Sequence, residues 1–461
     1  MQRLLHLAAL PFVAAPFSAQ SAASPALDWP WFQGPDRNGV STETDWSSDG
    51  AEDPLWSTNV GRGYSCPSIV DGKLVTMGFE PEDEGDYVVC LDARTGEELW
   101  RHGYEARDTP NYHEGGTLTT PAIHEGTVYT TNREGRAFAL DLVAGTVVWE
   151  RDYRDELGLE DTFHGYCASP LVLGDRIVFL FGGTAAAVDR SDGEVLWRTE
   201  DYGDGAYTNA TPVEARGRAG VAAMLAQTFL VLDLETGEVL HELPWELTGS
   251  SVHVAAPLAL GERVFLSTAY NKGCAMLRLG DAIEPEVEWT SRRMRNKVTG
   301  CFLHGEHIYG FDESILKCID LEGNEQWRVR GLGMGALSIV GDRLVVLSSE
   351  GELIVAEATP EEFRELSRRK VLDGGVYWTM PVLVDGLLYA RNSLGDLVCL
   401  DHRASAPSED IDDDSGAAPA PVAPSRQALY GGNAQAIGAD RMRGREALRL
   451  SGDLEILGRG L

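Results

Sequence analysis

The sequence predicts an all-β protein, specifically an eight-bladed β-propeller whose blades are four-stranded antiparallel sheets. A strand-turn-strand unit recurs eight times with an average spacing of about 45 residues, which is the length of one propeller blade. Within each unit, apolar and polar residues alternate as they do in strands, and short turns contain Gly and Asp. Because a single blade cannot bury both of its faces, the repeats are expected to close into a ring.

Each repeat opens on an apolar strand led by Pro or by an equivalent residue. These marker residues are Pro67, Pro121, Pro170, Pro212, Pro257, Cys301, Leu337 and Pro381. The eighth repeat stops before its last strand, and a stray copy of that strand, DPLWSTNVG, precedes the first repeat. We therefore predict that an N-terminal strand containing Trp56 completes the last blade beside Leu397 and closes the ring without an exposed edge.

A tryptophan recurs at the end of most repeats, a few residues after a turn of the TG type. We expect each of these rings to dock structurally on the next blade, which stabilises the fold by roughly 2–3 kcal/mol per ring. In the fourth repeat His241 stands at this position. The docking tryptophans are Trp56, Trp100, Trp149, Trp197, Trp289 and Trp327.

The chain divides into five segments by composition. Residues 1–26 have the pattern of a Sec-type signal peptide, with Arg3 before a short apolar run that prolines interrupt. An N-terminal segment (27–52) and the propeller (53–403) follow. An acidic linker rich in Pro and Ala (404–428) is expected to be disordered, and the tail (429–461) can form a short basic helix. We expect a secreted or periplasmic protein.

Charge and cysteine content limit the classes of partner. The 39 basic and 72 acidic residues give a net charge of −33, which disfavours nucleic acids and anionic membranes as partners. No cysteine precedes Cys66, so we expect no lipid anchor at the cleavage site. The seven cysteines are scattered singly, and we expect them to be small buried hydrophobes, with at least one free thiol because their number is odd. We expect a monomer.

A candidate binding site lies at the mouth of the central channel, where the loops before the innermost strands gather. The third and fourth residues before the markers supply Tyr64, Thr117, Tyr166, Asn209, His253, Lys297, Tyr377 and Trp378. This mixture of aromatic, hydrogen-bonding and cationic groups is typical of a ligand pocket, although the same residues are also compatible with a water-lined channel. His113, Glu114 and His164 lie slightly upstream, without metal-binding spacing, so we expect neither a metal site nor catalytic residues.

The repeated pattern LDxxTGxxxW carries a family resemblance. It is seen as CLDARTGEELW, VLDLETGEVLH and the weaker AVDRSDGEVLW. It resembles the tryptophan-docking motif of the pyrroloquinoline-quinone-type, or quinoprotein alcohol dehydrogenase-like, β-propeller repeat family, and the resemblance covers residues 53–403. The N-terminal DWPWFQGPDRNGVS also resembles the opening of a secreted bacterial subgroup.

The resemblance implies two classes of function. Quinoprotein dehydrogenases imply a pyrroloquinoline quinone with calcium, a vicinal disulfide, a stacking Trp and a catalytic Asp, but this chain has no adjacent cysteines and short connections between repeats. The barrel-assembly lipoprotein of the outer membrane implies a scaffold that binds proteins. We therefore expect a non-catalytic propeller, without a cofactor, that binds a protein or glycan partner of the cell envelope. The alternative is a quinone-dependent oxidoreductase.

Overall fold

The computed structural model describes residues 28–82, 85–108, 114–249 and 252–404. The predicted signal peptide, the tail and almost all of the linker lie outside these residues. Within the described ranges the regular structure is almost entirely β-strand, together with one short helix, α1 (Tyr153–Leu157). In the same ranges no helix combines the length and apolar character needed to cross a bilayer.

The strands are short, and they alternate with tight turns. The first eighteen are β1 (Val40–Ser41), β2 (Trp56–Asn59), β3 (Ser68–Val70), β4 (Lys73–Glu80), β5 (Gly85–Asp92), β6 (Glu98–Glu105), β7 (Ala122–His124), β8 (Thr127–Thr131), β9 (Arg136–Asp141), β10 (Val147–Asp152), β11 (Leu171–Leu173), β12 (Arg176–Phe181), β13 (Thr184–Asp189), β14 (Val195–Arg198), β15 (Thr211–Ala215), β16 (Arg218–Leu225), β17 (Thr228–Asp233) and β18 (Val239–Pro244). The remaining strands are β19 (Leu258–Leu260), β20 (Arg263–Thr268), β21 (Gly273–Arg278), β22 (Glu286–Ser291), β23 (Cys301–His304), β24 (His307–Asp312), β25 (Ile315–Asp320), β26 (Glu325–Val329), β27 (Ala336–Val340), β28 (Arg343–Leu347), β29 (Glu352–Glu357), β30 (Glu365–Lys370), β31 (Val382–Val384), β32 (Leu387–Arg391) and β33 (Asp396–Asp401).

These strands form eight sheets, which confirms the predicted eight-bladed propeller. Blades 1 to 6 are consecutive four-stranded meanders that run from β3 to β26, and blade 7 comprises β27 to β30 with β1 added in parallel to its innermost strand. Blade 8 combines β31, β32 and β33 with β2 from the N-terminal part of the chain. In blades 1 to 7 the innermost of the four consecutive strands is the first one. In blade 8 the innermost strand is β31, and β2 supplies the outermost strand.

The ring closes where the sequence predicts. Strand β2 pairs antiparallel with β33, so that Trp56 lies opposite Cys399 and Thr58 lies opposite Leu397. The backbone N–H of Leu55 extends this ladder by donating to the carbonyl oxygen of Cys399 at 2.8 Å. Residues more than 330 positions apart in the sequence are thereby joined in one sheet, which removes the two edges that an open ring would expose.

The hydrophobic core lies between neighbouring blades. Between blades 1 and 2, for example, Met77 and Cys90 pack with Phe138 and Leu140, and all four side chains are buried. Six of the seven cysteines are buried free thiols of this kind, and Cys167 is half-buried. Burial raises the pKa of the Cys90 thiol to about 12, so this cysteine is an uncharged core residue.

The six tryptophans dock on the following blade through a repeated hydrogen bond. Each indole Nε1 donates to a backbone carbonyl oxygen in the turn before the outermost strand of the next blade. The pairs are Trp56 with Ala93 (3.1 Å), Trp100 with Leu142 (2.9 Å), Trp149 with Arg190 (3.0 Å), Trp197 with Leu234 (2.9 Å), Trp289 with Leu321 (2.9 Å) and Trp327 with Thr359 (2.7 Å).

A glycine in the same turn lies directly beneath most of these rings. At Gly237, with φ of +73°, a Cβ atom would lie 2.7 Å from the ring of Trp197. The TG-type turn of one blade is thus shaped to receive the tryptophan of the blade before it. In blade 4 the smaller, fully buried His241 occupies the docking position, beside Ala282 and Ile283 in the turn of blade 5.

The N-terminal segment crosses the far end of the channel, opposite the mouth. The backbone of Trp29 exchanges two hydrogen bonds of 2.8 Å with Ile69 of blade 1. Further on, Arg37 donates to the carbonyl oxygen of Val172 in blade 3 at 2.5 Å, and Val40 lies beside Ile339 in blade 7. Blades 3 and 7 are opposite one another in a ring of eight, so the segment spans the axis between these two contacts.

The same segment then fastens to blade 8. Both carboxylate oxygens of the buried Glu43 accept hydrogen bonds of 2.9 Å from the backbone N–H groups of Asp385 and Gly386, in the turn after β31. The backbone N–H of Ser47 donates to the carbonyl oxygen of His402 at 2.6 Å. The N-terminal segment is therefore a cover over the far end of the channel, which the repeat pattern did not predict.

Candidate functional site

The predicted mouth residues stand either three or four positions before a marker residue, and the side chains at these two positions differ in how far they are exposed. Residues three before the marker are half-exposed in all eight blades: Tyr64, Leu118, Cys167, Asn209, Val254, Val298, Met334 and Trp378. Four before the marker, Thr117, Tyr166, His253 and Tyr377 are at most 3% exposed. Lys297 is half-exposed, with its ammonium 5.8 Å from the ring centroid of Tyr270. A ligand at the mouth therefore meets mainly the first position, and the second supports it from behind.

Tyr64 and Trp378 form an aromatic platform where blades 1 and 8 meet. Their rings are stacked, with 5.3 Å between centroids and 22° between planes. The Tyr64 hydroxyl donates a hydrogen bond of 2.6 Å to Oε2 of Glu114, and the Glu114 carbonyl oxygen accepts one of 2.8 Å from Arg62. Tyr64 and Trp378, which are far apart in the sequence, thus place two half-exposed aromatic side chains beside a carboxylate.

Two effects keep the Tyr64 hydroxyl protonated. Burial of the phenol raises its pKa above the ordinary value, and the hydrogen bond to the Glu114 carboxylate raises it further. The hydroxyl is therefore a fixed donor to Glu114 at physiological pH. This hydrogen bond holds the Tyr64 ring against Trp378, so the platform has a defined orientation before any ligand arrives.

A chain of hydrogen bonds joins the inner ends of blades 1 to 4. The backbone N–H of Cys66 donates to Oγ1 of Thr120, that of Thr120 donates to Oγ of Ser169, each at 3.0 Å, and that of Ser169 donates to Oδ1 of Asn209 at 2.6 Å. Asn209 was predicted as a ligand-binding residue, but its carbonyl oxygen is engaged in this chain. The sequence pattern that could have indicated this hydrogen-bond chain is the small hydroxyl residue immediately before a marker proline, as at Thr120 and Ser169.

The buried members of the predicted set have structural partners. His253 Nδ1 lies 3.1 Å from Oγ1 of Thr268, which also accepts a hydrogen bond of 3.1 Å from the indole of Trp245. Burial lowers the pKa of His253 to about 4, so its imidazole is neutral. The Tyr166 hydroxyl donates to the carbonyl oxygen of Glu160 at 2.8 Å. Thr117 Oγ1 donates to the carbonyl oxygen of Met77 at 3.1 Å.

The upstream histidines do not gather into one site. His164 lies between two other aromatic rings, 4.8 Å from the centroid of Phe163 and 5.0 Å from that of Tyr207. His113 lies outside the described residues. Across the described ranges, no group of three or more His, Cys, Asp or Glu side chains converges in a way that could hold a metal ion.

The side chains at the mouth do not match the quinone and calcium site that the family resemblance implies. Glu114, the carboxylate beside the platform, already accepts the Tyr64 hydroxyl, and Asn209 already accepts a backbone N–H. The cysteines are single free thiols, whereas the implied site has a vicinal pair. The one feature in common with the implied site is a half-exposed tryptophan, Trp378. We derive no chemical step through a quinone from these residues.

Sequence comparison connects the chain to two kinds of protein. The family model described as outer membrane protein assembly factor BamB, a pyrroloquinoline-quinone-type repeat model, matches residues 84–322, just over half of the chain. The quinohemoprotein alcohol dehydrogenase ADH-IIG of Pseudomonas putida is 27% identical over 159 residues. That alignment covers 31% of this chain and 20% of the dehydrogenase, so it spans only a fifth of the relative.

Solved structures show the same fold at low identity. BamB from Moraxella catarrhalis superposes with a TM-score of 0.57 at 15% identity, covering 76% of this chain and 99% of that one. The quinohemoprotein alcohol dehydrogenase ADHIIG from Pseudomonas putida HK5 gives a TM-score of 0.55 at 15% identity, covering 88% and 83%. Together with the matched repeats, these comparisons place the chain: it belongs to the pyrroloquinoline-quinone-type β-propeller repeat family that is described as outer membrane protein assembly factor BamB.

Proposed function

We propose that this chain is a non-catalytic propeller of the cell envelope that binds a protein or glycan partner at its channel mouth. The observation that carries the proposal is the platform of Tyr64 and Trp378, which is stacked, half-exposed and held by Glu114. Aromatic faces beside a polar group suit both the apolar face of a sugar ring and the side chains of a partner protein. The family description, an outer membrane protein assembly factor, agrees with a protein partner.

The N-terminal segment supports the mouth as the binding face. It covers the far end of the channel through its contacts with blades 1, 3, 7 and 8. A ligand that enters the channel therefore does so from the mouth, where it meets the platform. We extend the proposal to a secreted or periplasmic location, with residues 1–26 as a signal peptide.

Capture from the native envelope fraction tests the proposal. The mature protein is immobilised beside a Tyr64→Ala/Trp378→Ala variant, and beside a Leu99→Ala/Val143→Ala variant that loses two exposed apolar side chains elsewhere. We expect a protein or glycan to be retained by the wild type and by the second variant, and to be lost from the first. Equal retention by all three proteins would place the binding surface elsewhere.

A quinone-dependent oxidoreductase is the second candidate, and the match to the alcohol dehydrogenase ADH-IIG favours it. The test is to mix the purified protein with pyrroloquinoline quinone and calcium, desalt the mixture and record the absorbance of retained quinone. Dye reduction with alcohols and sugars follows on the same sample. Retained quinone with turnover would replace the binding proposal, whereas loss of the quinone on desalting supports it.

A further inference from the structure

A cationic cleft lies between blades 5 and 6, near the rim of the ring. The loop after β22 forms one wall, and strands β25 and β26 form the other. The cleft has a volume of about 640 Å³, and it is lined by six cationic and two acidic side chains: Arg292, Arg293, Arg295, Lys317, Arg328 and Arg330, with Asp312 and Glu325. This local excess of four positive charges stands out in a chain whose net charge is −33.

The equivalent cleft between blades 2 and 3 shows that the charge is not a consequence of the fold. It lies between the chain that follows β10 and the outer strand β14, and it has a similar volume of about 770 Å³. Its charged lining is balanced, with Arg151 and Arg198 against Glu156 and Glu194. The fold therefore allows such a cleft to be either charge-balanced or positive. Of these two clefts, the one between blades 5 and 6 is strongly positive.

An ion-pair network fixes the floor of the cationic cleft. The buried carboxylate of Asp312 accepts two hydrogen bonds from Arg295, at 2.6 and 3.1 Å, and it lies 2.7 Å from the ammonium of Lys317. Lys317 also lies 3.2 Å from Glu325, which pairs at 3.2 Å with Arg328. Both acidic side chains of the lining are therefore already neutralised by floor residues.

The remaining arginines are left to face the cleft. Arg292 and Arg330 are exposed, and within the described part of the chain neither pairs with a carboxylate. Arg293 donates a hydrogen bond of 3.0 Å from its guanidinium to the carbonyl oxygen of Gly323, and among the described residues it has no carboxylate partner. Three guanidinium groups are thus available on a rigid floor, despite the large excess of acids in the sequence.

We propose that this cleft binds a phosphate or sulfate ester group of an anionic ligand, which is a second site separate from the channel mouth. Guanidinium groups present planar forks that bind such oxyanions bidentately. The lining is strongly polar, with Ile315 as its apolar side chain, whereas the centre of a protein–protein interface is usually apolar. At physiological salt, charges are screened over about 8 Å, so the ligand responds to the local cationic group rather than to the distant acids.

Fluorescence anisotropy with labelled dextran sulfate tests the site on the mature full-length protein. The double variant Arg292→Ala/Arg330→Ala removes two uncompensated charges from the cleft. The matched control Arg94→Ala/Arg216→Ala removes two exposed arginines from blades 1 and 4 and gives the same net charge. We expect the Kd to rise about tenfold in the first variant, because charge-assisted contacts are lost, and to stay within about twofold in the control.

Further binding experiments identify the chemical group that the cleft binds and the kind of molecule that carries the ester. Inorganic sulfate and phosphate should compete with dextran sulfate, and neutral dextran should not bind. Vesicles of phosphatidylglycerol in phosphatidylcholine show whether a lipid headgroup is the source, and dextran sulfate alone indicates a polysaccharide source.

Three results would overturn the proposal. They are no binding by the wild type, equal losses in the two double variants, and tighter binding to polyglutamate of equal charge, which would indicate an acidic protein segment instead. Because capture at the channel mouth uses different residues, failure here leaves the proposed function untouched.

Discussion

The indole nitrogen of Trp56 donates a hydrogen bond of 3.1 Å to the carbonyl oxygen of Ala93, and this contact joins blade 8 to blade 1. The same indole packs on Gly96, whose Cβ position would lie 2.6 Å from the ring. Trp56 belongs to the strand that completes blade 8, so one residue contributes both to the last sheet and to the last interface between blades. The two ends of the repeat array are therefore fastened at one place.

The Trp56→Ala variant should lower the free energy of unfolding by about 2–3 kcal/mol, because it removes a partly buried indole at the closure of the ring. Urea denaturation followed by tryptophan fluorescence and circular dichroism measures the change. The control Leu99→Ala removes an apolar side chain that is 46% exposed, and it should change the value by less than about 0.5 kcal/mol. Equal stability of the two variants would contradict the closing role of Trp56.

Substitutions at two glycines of blade 4 measure the cost of backbone strain separately from the cost of disturbing the docking contact. Gly217 and Gly237 have similar φ values of +68° and +73°, but only Gly237 lies against a tryptophan ring. Gly217→Ala should cost about 1 kcal/mol for the left-handed backbone alone. Gly237→Ala should cost a further 1–3 kcal/mol, approximately, because its methyl group overlaps the Trp197 ring. Equal losses of stability in the two variants would show that the turn does not depend on this contact.

Arg391 provides a second link at the closure. Its side chain in blade 8 is fully buried and donates to the carbonyl oxygens of Ser65 and Met77 and to Oγ1 of Thr76, all in blade 1, at 2.8–2.9 Å. Arg391→Met should lower the free energy of unfolding by about 1–3 kcal/mol, because the buried hydrogen bonds that this side chain makes from blade 8 to blade 1 are lost. Thermal unfolding with Arg391→Lys as the milder comparison checks this. A melting temperature of Arg391→Met equal to that of the wild type would contradict it.

His402 should make the N-terminal fastening sensitive to acid. The ring is buried, Nδ1 lies 2.7 Å from the carbonyl oxygen of Ser47, and Nε2 lies 2.7 Å from the guanidinium of Arg369. Burial lowers the pKa of His402 to about 4, with the nearby Arg369 charge acting in the same direction. The folded state therefore holds a neutral imidazole whose Nδ1–H donates to Ser47.

The direction of this pH dependence follows from the proton that the unfolded chain takes up at His402. Between pH 6.5 and about 4 the unfolded chain binds a proton at His402 and the folded chain does not, so the stability contributed by this group falls as the pH falls. The contribution of His402 to the free energy of unfolding that is lost over this pH range is on the order of 3 kcal/mol. The destabilisation caused by His402→Gln, measured in urea, should therefore shrink between pH 7 and pH 4.5. Ser47→Ala keeps the backbone acceptor, and its effect should not change with pH. A pH-independent effect of His402→Gln would contradict the assignment.

The periodic part of the fold could be predicted from the sequence, and the contacts between distant segments could not. The markers from Pro67 to Pro381 gave the blades, and the displaced strand around Trp56 gave the closure, because both are written in a local pattern. The pairing of Arg37 with Val172 has no such pattern, since it depends on the path of a single segment across the axis.

The candidate sites show the same division. Residues at the mouth could be selected by register, but two positions one residue apart differ in exposure, and sequence alone gave no means to separate Trp378 from Tyr377. The cationic cleft was not predicted, because Arg292 and Arg330 belong to different blades and become neighbours only when the ring assembles.

The most direct test of the central claim is the dissociation constant of the captured envelope partner for wild-type protein, Trp378→Phe and Trp378→Ala. If the aromatic platform is the binding surface, Trp378→Ala should weaken binding at least about tenfold, because aromatic anchors dominate such sites, while Trp378→Phe stays within about threefold and all three proteins unfold at the same temperature. An unchanged dissociation constant for Trp378→Ala would contradict binding at the channel mouth.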